Sequence, residues 1–486
     1  MARFIELFRP ALRFFPTIKK PERKVSFKEK LFWSGLALII YLFMGAIPIY
    51  GIPRTPGQVD PFGALRVIFA STRGSLVELG IGPIVTAGLI LQVLAGSKMI
   101  NVDFKDPGDR SLFTGASKVL AIFMTVFEGL AFIVGGAYGT GLAFTNQFYI
   151  ILQLVAAGVI IILLDEMLQK GWGIGSGISL FIIGGVAQEI WWNTIGPNVD
   201  PPPQGDGLLH GAVFYMFQAI SRGVSVFSLS GNSVIFRGGL LPDILGLIGT
   251  IGIFLLMILL TGVRVEIPVS YAKYKGYRGK FPIKLLYATN IPVIFAAALF
   301  GNIYFIGQLM WSRYNPTCSS FWLNLIPGCF TQVTDPGQRP IPATGLVYYT
   351  FAPRSLQTVA ADPIQTGVYA ALFILGCLFF ASTWTQVGGM DARTVAKQLL
   401  DSGMHIEGFR RSSLPIRSIL QRYISTVTLL GGAIVGGVAV GGDLLGSFGT
   451  GTGILLSVGI LEQYYQLLVR ERVTELYPAA RGLLGE

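Results

Sequence analysis

Few side chains in this sequence have the types and spacing that covalent chemistry requires. The stretch GIGSG (173–177) suggests a phosphate loop or a serine nucleophile turn, but it lacks the lysine of a phosphate loop. The two histidines, His210 and His405, fall outside the long apolar segments described below. A serine–histidine pair within such a segment is therefore not expected. The three cysteines and two histidines show no zinc spacing. The sequence therefore predicts no enzyme, no cofactor and no metal site, and helix packing through small residues explains the glycines better.

Glu128 is the exception. A carboxylate inside an apolar segment is energetically costly, so its presence there predicts a functional role. The surrounding chain is 52% hydrophobic and 13% charged, whereas soluble domains carry about 25% charged residues. This composition predicts a polytopic membrane protein. We expect ten spans, of roughly 20 residues where uninterrupted. The apolar segments are 31–50, 80–97, 112–138, 143–164, 173–192, 240–263, 285–311, 364–386, 414–441 and 451–470.

The distribution of Lys and Arg predicts the orientation of these spans. With the N-terminus in the cytoplasm, 29 of the 37 basic residues fall in cytoplasmic stretches and 8 on the other side. Both termini are then cytoplasmic, and the net charge of +11 needs no nucleic-acid partner to explain it. Residues 1–30 alternate basic and apolar residues without a cleavage site, which predicts an amphipathic arm on the membrane surface and not a signal peptide.

Two cytoplasmic loops stand out by their charge, since 263–284 carries six basic residues and 388–417 carries five. The first alternates apolar and other residues and is expected to form a β-hairpin that ends near Gly276. Both loops are either solvated topology signals or a docking surface for a large acidic partner. On the opposite side, Cys318 and Cys329 lie eleven positions apart, which suggests a disulfide in an oxidising exterior.

The second apolar segment is preceded by a shorter one. Asp60 and Pro61 form a helix start, and a helix of about ten residues would cross only half a bilayer. Arg73 lies just beyond it, which indicates a water-filled cavity there. Ile81 and Val85 follow on one helix face.

Pro83 lies in the first turn of the second span, and an early proline recurs in the seventh span, in the stretch NIPVIF that begins at Asn290. Matched interruptions in two halves point to an inverted repeat, the pattern of secondary transporters. The lining here is aliphatic, however, which suits a gate that excludes water and ions.

Four long stretches are similar to one known family. They are KPERKVSFKEK (20–30), ASTRGSLVELGIGPIVTAGLILQ (70–92), GIGSGISLF (173–181) and FPIKLLYATNIPVI (281–294). They closely resemble the archaeal and eukaryotic branch of the SecY family of protein-translocation channels. The resemblance implies an all-α polytopic membrane protein with ten transmembrane helices in two inverted pseudo-symmetric halves and a half-helix plug at about 61–71. The divisions would be an arm (1–30), an N-terminal half (31–196), an external loop or hinge (197–239), a C-terminal half (240–470) and a cytoplasmic tail (471–486).

The resemblance also implies roles for individual residues. A pore ring would consist of Ile81, Val85, Ile178, Ile182, Ile294 and Leu456. The plug would include Phe62, Leu65, Arg66, Ile68 and Phe69. A lateral gate would contain Thr86, Gln92, Glu128 and Asn302, although relatives often carry glutamine where Glu128 stands. Docking of the ribosome would involve Arg264, Lys273, Lys275, Arg278, Lys280, Arg410 and Arg411.

These roles would make the chain the pore-forming subunit of a protein-conducting channel. It would pass unfolded secretory polypeptides and release transmembrane segments into lipid. Expected partners are SecE-type (gamma) and small beta-type single-span subunits, the ribosome and signal sequences, in the cell membrane or the endoplasmic reticulum. No nucleotide motif occurs, so a partner must supply the energy. A secondary transporter is the main alternative, and an intramembrane enzyme the third.

Overall fold

The structure is a computed structural model of the whole chain. It describes residues 6, 9–12, 15–23, 25–52, 66, 69–96, 99–100, 102, 106–134, 138, 142–199, 207–226, 233–237, 241–271, 278–286, 290–331, 341–387, 390–401, 404–406 and 413–476.

The described residues are mostly helical. Helices of the first half are α1 (Arg9–Leu12), α2 (Phe27–Ala46), α3 (Gly82–Gly96), α4 (Pro107–Val134), α5 (Phe144–Met167) and α6 (Gly177–Ile195), with a π-helical turn at Leu168–Trp172 after α5. The connection to the second half contains α7 (Ala212–Ser221). Helices of the second half are α8 (Ile244–Gly262), α9 (Asn290–Tyr314), α10 (Phe321–Leu325), α11 (Gly345–Thr350), α12 (Leu356–Ala361), α13 (Pro363–Val387), α14 (Ala392–Asp401), α15 (Ser413–Leu444) and α16 (Gly451–Leu476).

Ten of the described helices have 15 residues or more, and each overlaps one of the ten apolar segments of the sequence. Seven of them are long and apolar enough to cross a membrane. The other three are α3, α6 and α16, and they carry the predicted ring residues Val85, Ile178, Ile182 and Leu456. The first ten residues of α16 are all buried, so protein surrounds this part of the helix. A helix enclosed in this way does not need the apolar circumference of a lipid-exposed span.

Three antiparallel strands gather at one end of the helices. They are β1 (Arg264–Tyr271), β2 (Arg278–Lys284) and β3 (Met404–Ile406), in the order β2-β1-β3. The predicted hairpin is confirmed by the β1–β2 pairing, while its turn at 272–277 lies outside the described residues. The strand β3 was not predicted, and its pairing joins the second basic loop to the first.

The two ends of the helix bundle differ. We call the end with β1–β3 the sheet end, because α8 and α13 end there and α9 and α15 begin there. The opposite end carries the long connections 196–243 and 315–362, and we call it the loop end. The two halves meet where α3 packs on α9 and α13 and α4 contacts α9. A second contact between the halves joins α16 to α6 and α2.

Candidate functional site

The six predicted ring residues belong to one apolar cluster. Ile81, Val85, Ile182 and Leu456 are buried, and the half-buried Ile178 and Ile294 pack against the same cluster. They come from α3, α6, α9 and α16 and from the turn before α3, that is, from both halves of the molecule. Their side chains have no hydrogen-bonding groups, so the layer holds together by packing and by exclusion of water.

A cavity of about 750 Å³ lies on the loop-end side of this layer. Ala70, Gly185 and Thr450 are part of its wall, and Gly185 is three residues, or about one helical turn, from Ile182. None of the six ring residues is among the described residues that line it. Charged side chains on its wall are Arg66, Arg73, Arg237, Arg354, Glu189, Asp243 and Asp443. The sequence predicts a wet cavity at Arg73, and Arg73 lines this one.

Asp243 stands at the start of α8 on the wall of this cavity. Its carboxylate accepts a hydrogen bond of 2.7 Å from the backbone N–H of Gly246, which caps the helix. Burial nevertheless raises the pKa of the Asp243 carboxyl to about 6, and the nearby Arg237 only partly opposes this increase.

The described end of the predicted plug is tied to the start of α3. The carbonyl of Phe69 accepts a hydrogen bond of 2.9 Å from the N–H of Ile81, the first ring residue. The Arg66 guanidinium and the Glu78 carboxylate form an ion pair of 2.7 Å, and their side chains are only 12% and 2% exposed. Glu78 also accepts from the N–H of Gly74. Phe62, Leu65 and Ile68 lie outside the described residues.

Ala70 completes this attachment on the side of the first half. The hydroxyl of Tyr41 on α2 donates to the carbonyl of Ala70, and the Tyr41 ring stacks on Phe181 at 4.2 Å. A Cβ atom on Gly185 would lie 3.2 Å from the Cβ of Ala70, so the small residue allows close approach. The described end of the predicted plug therefore contacts α2, α6 and the turn before α3.

Three of the four predicted gate residues meet where α3, α4 and α9 come together, a surface that we call the seam. The amide of Asn302 donates to the hydroxyl of Thr86 over 3.4 Å, and Thr86 also hydrogen-bonds Glu128. Glu128 is 9% exposed, and its Oε1 atom has no hydrogen-bond partner among the described residues. Glu128 and Asn302 line a small cavity of about 40 Å³ together with Arg66 and Glu78. The seam is thus polar and incompletely hydrogen-bonded.

Gln92 lies apart from this group. It is half-buried on α3 and forms no hydrogen bond with the other three gate residues in the described part of the chain. Nearer the loop end, the seam is apolar, since Phe132 of α4 stacks on Phe305 of α9 at 5.3 Å. The predicted gate is therefore a polar contact flanked by an aromatic one.

The predicted docking residues that the structure describes fall on the sheet end. Arg264 and Lys280 are exposed on β1 and β2, and both form ion pairs with Glu266, at 3.5 and 2.6 Å. The Lys280 ammonium, as a hydrogen-bond donor, lowers the pKa of Glu266. Arg278 lies on β2. Lys273, Lys275, Arg410 and Arg411 lie outside the described residues.

The sheet shares a core with two helices, so the two basic loops form one unit. Ile267 and Ile283 of the strands pack with Leu399 of α14 and with Ile416 and Leu420 of α15. The predicted docking residues on β1 and β2 therefore lie on strands that pack against a long apolar helix of the second half.

Two carboxylates for which the sequence predicts no role bind the N-terminal ends of α16 and α6. Asp443, near the end of α15, accepts hydrogen bonds of 2.9 Å from the hydroxyl of Tyr369 and from the N–H of Gly451, the first residue of α16. Asp165 of α5 accepts from the N–H of the ring residue Ile178 at 3.1 Å. The glycine-rich contexts GGD and GIGSG were the available signals, because a glycine permits the close backbone approach that such a bond needs.

The glycines of GIGSG indeed serve close packing. A Cβ atom on Gly177 would lie 2.7 Å from the Cα of Asp165, so a larger residue would separate α6 from α5. His210 lies in the connection before α7, and His405 lies on β3. In the described part of the chain, no group of three or more His, Cys, Asp and Glu residues could hold a metal ion.

Cys318 and Cys329 form a disulfide in the connection after α9, with their Cα atoms 5.8 Å apart. The third cysteine, Cys377, is buried in α13 as a free thiol.

Two family models match this chain. The SecY model matches residues 75–465, and the model of the plug domain of Sec61p matches residues 39–74. Together they match residues 39–465, which include the segment that contains the predicted plug.

Individual relatives match over nearly the whole chain. A protein translocase subunit SecY of Pyrococcus furiosus is 41% identical over 480 residues, which are 97% of each chain. A solved structure of a protein-conducting channel has a TM-score of 0.79 and 37% identity and covers 97% of this chain and 98% of that one. Sec61 in a canine ribosome–channel complex from the endoplasmic reticulum has a TM-score of 0.76 and 36% identity, with the same coverage.

Proposed function

Because the chain belongs to the SecY family, we propose that it forms the pore of a protein-conducting channel. It passes unfolded secretory polypeptides across the membrane and releases apolar segments into lipid through the seam. The observation that carries this proposal is the aliphatic layer of six residues from both halves, with a polar cavity of about 750 Å³ on its loop-end side.

The layer suits a substrate that varies in sequence. A polypeptide presents every type of side chain in turn, so a constriction must bind none of them tightly. Aliphatic side chains such as Val85, Ile182 and Ile294 offer no charge and no hydrogen bond. An ion that entered the layer would lose its hydration water and gain no ligands in return, so ions are excluded. The plug segment, in which the carbonyl of Phe69 accepts a hydrogen bond from the N–H of Ile81, adds a second closure on the loop-end side.

The seam suits the release of apolar segments. Hydrogen bonds between helices in membranes contribute only about 0.6 kcal/mol each on average. A contact such as that of Asn302 with Thr86 therefore holds α3 and α9 together weakly, and an apolar helix that intercalates there replaces it at low cost.

We further propose that the sheet end faces the cytoplasm and docks the ribosome. Arg264, Arg278 and Lys280 lie there, and the basic residues 273, 275, 410 and 411 belong to the same two loops. The canine relative is itself part of a ribosome–channel complex, which supports this assignment. Phosphates of ribosomal RNA are a suitable acidic surface for these side chains. Small single-span subunits of the SecE (gamma) and beta types complete the assembly, and the membrane is the cell membrane or the endoplasmic reticulum.

A translocation intermediate tests the proposed function. The chain, purified with its subunits, is reconstituted into vesicles, and a secretory polypeptide with a photo-crosslinker is arrested part-way. Adducts with Ile294 are expected. Absence of these adducts together with uptake of a small solute would instead support a secondary transporter.

A further inference from the structure

An uncharged apolar surface is exposed at the loop end of α9. Its five residues, Tyr314, Phe321, Trp322, Leu325 and Ile326, are each between 51% and 71% exposed, and we call them the aromatic lip. Exposed apolar patches of this kind mark interaction surfaces. The whole stretch 314–331 contains no Lys, Arg, Asp or Glu, so charge does not select its partner.

The lip is built on a well-connected loop. The Cys318–Cys329 disulfide closes it, and Asn315 donates to the side chain of Asn324 at 2.7 Å. The Asn324 amide donates in turn to the carbonyl of Cys318 at 2.7 Å. Exposure of the lip is therefore a property of an ordered arrangement in which the polar groups turn inward and the aromatic groups turn outward.

The loop folds back along α9 towards the middle of the bundle. The ring of Phe330 packs on Trp311 at 5.3 Å and on Tyr304 at 5.5 Å. Tyr304 is ten residues before the end of α9, which corresponds to about 15 Å along the helix. The chain from Tyr314 to Phe330 thus leaves the bundle and returns to a level well inside it.

This return fixes the depth of the lip relative to the membrane. Helix α9 has 25 residues, so it is about 37 Å long and extends a few ångströms beyond each face of a hydrocarbon layer of about 30 Å. Ile306, two turns before Tyr314, is exposed on the outside of the helix, which is the expected position of a lipid-facing residue. The lip residues lie at the end of α9 or follow it. The disulfide that closes their loop and the contact of Phe330 with Trp311 tie the far side of that loop to this end, near the level at which α9 leaves the hydrocarbon layer.

We propose that the aromatic lip lies in the membrane–water interface at the loop end and contacts lipid, not another protein. Tryptophan and tyrosine favour this zone because their rings are apolar and their N–H and O–H groups reach water or headgroups. The exposed Arg313 in the last turn of α9 is placed to reach lipid phosphates. Since α9 forms one wall of the seam, the lip holds the loop end of that wall at a fixed depth in the membrane.

Fluorescence quenching tests this assignment. The channel complex, with the subunits that co-purify with it, is reconstituted with lipids brominated near the headgroup end of their acyl chains or near the chain end. The chain has seven tryptophans, so the emission lost in the Trp322→Phe variant isolates Trp322. A Trp172→Phe variant, changed at the sheet end, controls for the loss of any one tryptophan.

We expect the shallow brominated lipids to quench the Trp322 emission at least twofold more than the deep ones, and aqueous iodide to quench it little. Quenching by iodide without quenching by either lipid would place the lip in water and overturn the proposal. Protection from both quenchers would show that protein covers it, which also overturns the proposal. Quenching by the deep lipids above the shallow ones would contradict the interfacial position.

Discussion

Val85 and Thr86 are consecutive residues of α3, yet they belong to two surfaces of opposite chemistry. Val85 lies in the aliphatic layer, where contacts have no direction and any polypeptide can displace them. Thr86 lies in the seam, where it bonds Asn302 and Glu128. In the function proposed above, the closure that must open for every polypeptide sequence uses packing alone, whereas the closure that must open for apolar segments uses weak polar contacts. One helix serves both because neighbouring residues point in directions about 100° apart.

The largest effect is expected from breaking the ion pair of Arg66 and Glu78, because these residues line the seam cavity and Arg66 also lines the large cavity. The Glu78→Ala change leaves a guanidinium that is mostly buried without its carboxylate, which costs roughly 3–5 kcal/mol. We expect ion leakage through vesicles that contain the resting channel, measured with a potential-sensitive dye.

The reciprocal exchange Arg66→Glu with Glu78→Arg is the matched control and should restore part of the seal. If Glu78→Ala vesicles hold their potential as well as those with the parent chain, the ion pair has no part in closure.

The next effect is expected in the ring alone. Ile182→Asn buries an amide in the aliphatic layer, and an unpaired amide costs about 1–3 kcal/mol in a protein interior. The closed state should weaken, and ion leakage should rise about tenfold. Ile182→Val, which keeps the layer apolar, should leak no more than the parent. Equal leakage of the two variants would mean that polarity in the ring does not matter.

In the seam, by contrast, a substitution should stabilise the closed state. Glu128→Leu removes a carboxyl that has one oxygen without a partner among the described residues, so closing the seam no longer buries an unsatisfied group. We expect the closed seam to become more stable, and translocation of reporters with weakly apolar signal sequences to fall by up to about tenfold.

Strongly apolar signals should still pass, and Glu128→Gln should lie between the parent and Glu128→Leu. Unchanged selectivity of the leucine variant in a reconstituted translocation assay would exclude a gate role for Glu128.

The smallest effect is expected from a change of pH. It should alter stability through a carboxyl group of the charged cavity and leave the aliphatic ring unaffected. The pKa of Asp243 is raised to about 6, so between its ordinary value near 3.8 and 6 the folded chain binds more protons than the unfolded chain. Stability should therefore fall as the pH rises through this window and then level off.

Asp243→Asn keeps a helix-capping side chain but does not titrate, and the difference in thermal midpoint between the parent and this variant should follow that course. Ion leakage through the ring should not change over the same range. A midpoint difference that is flat between pH 4 and 7 would contradict the raised pKa.

Much of the helical architecture could be predicted from the sequence, since apolar length and proline position are local signals. The signal for the hairpin of β1 and β2 was also local, because aliphatic or aromatic residues occupy every second position from Val265 to Tyr271, before the glycine at 276. The strand β3 was not, because it pairs with β1 across more than 130 residues and its own three residues carry no pattern. The same limit applies to Asp443, whose role depends on Tyr369 of a different helix.

The predictions for individual residues also divide into those that follow from local sequence and those that depend on the fold. Position on one helix face groups Ile81 with Val85, but only the fold brings Ile294 and Leu456 to the same cluster. Glu78 carried no signal of its own, since its partner Arg66 belongs to a different segment and the two meet only through the turns between Phe69 and Ile81.

The most direct test of the two-surface account uses the two consecutive residues of α3. A photo-crosslinking amino acid is placed at Val85 or at Thr86, and channels are loaded with an arrested chain whose hydrophilic part is in transit and whose apolar signal has just entered. If pore and seam are separate surfaces, the hydrophilic part reacts at Val85 and the apolar signal at Thr86. Adducts of both parts at both positions in equal yield would show that pore and seam are one surface, which contradicts this separation.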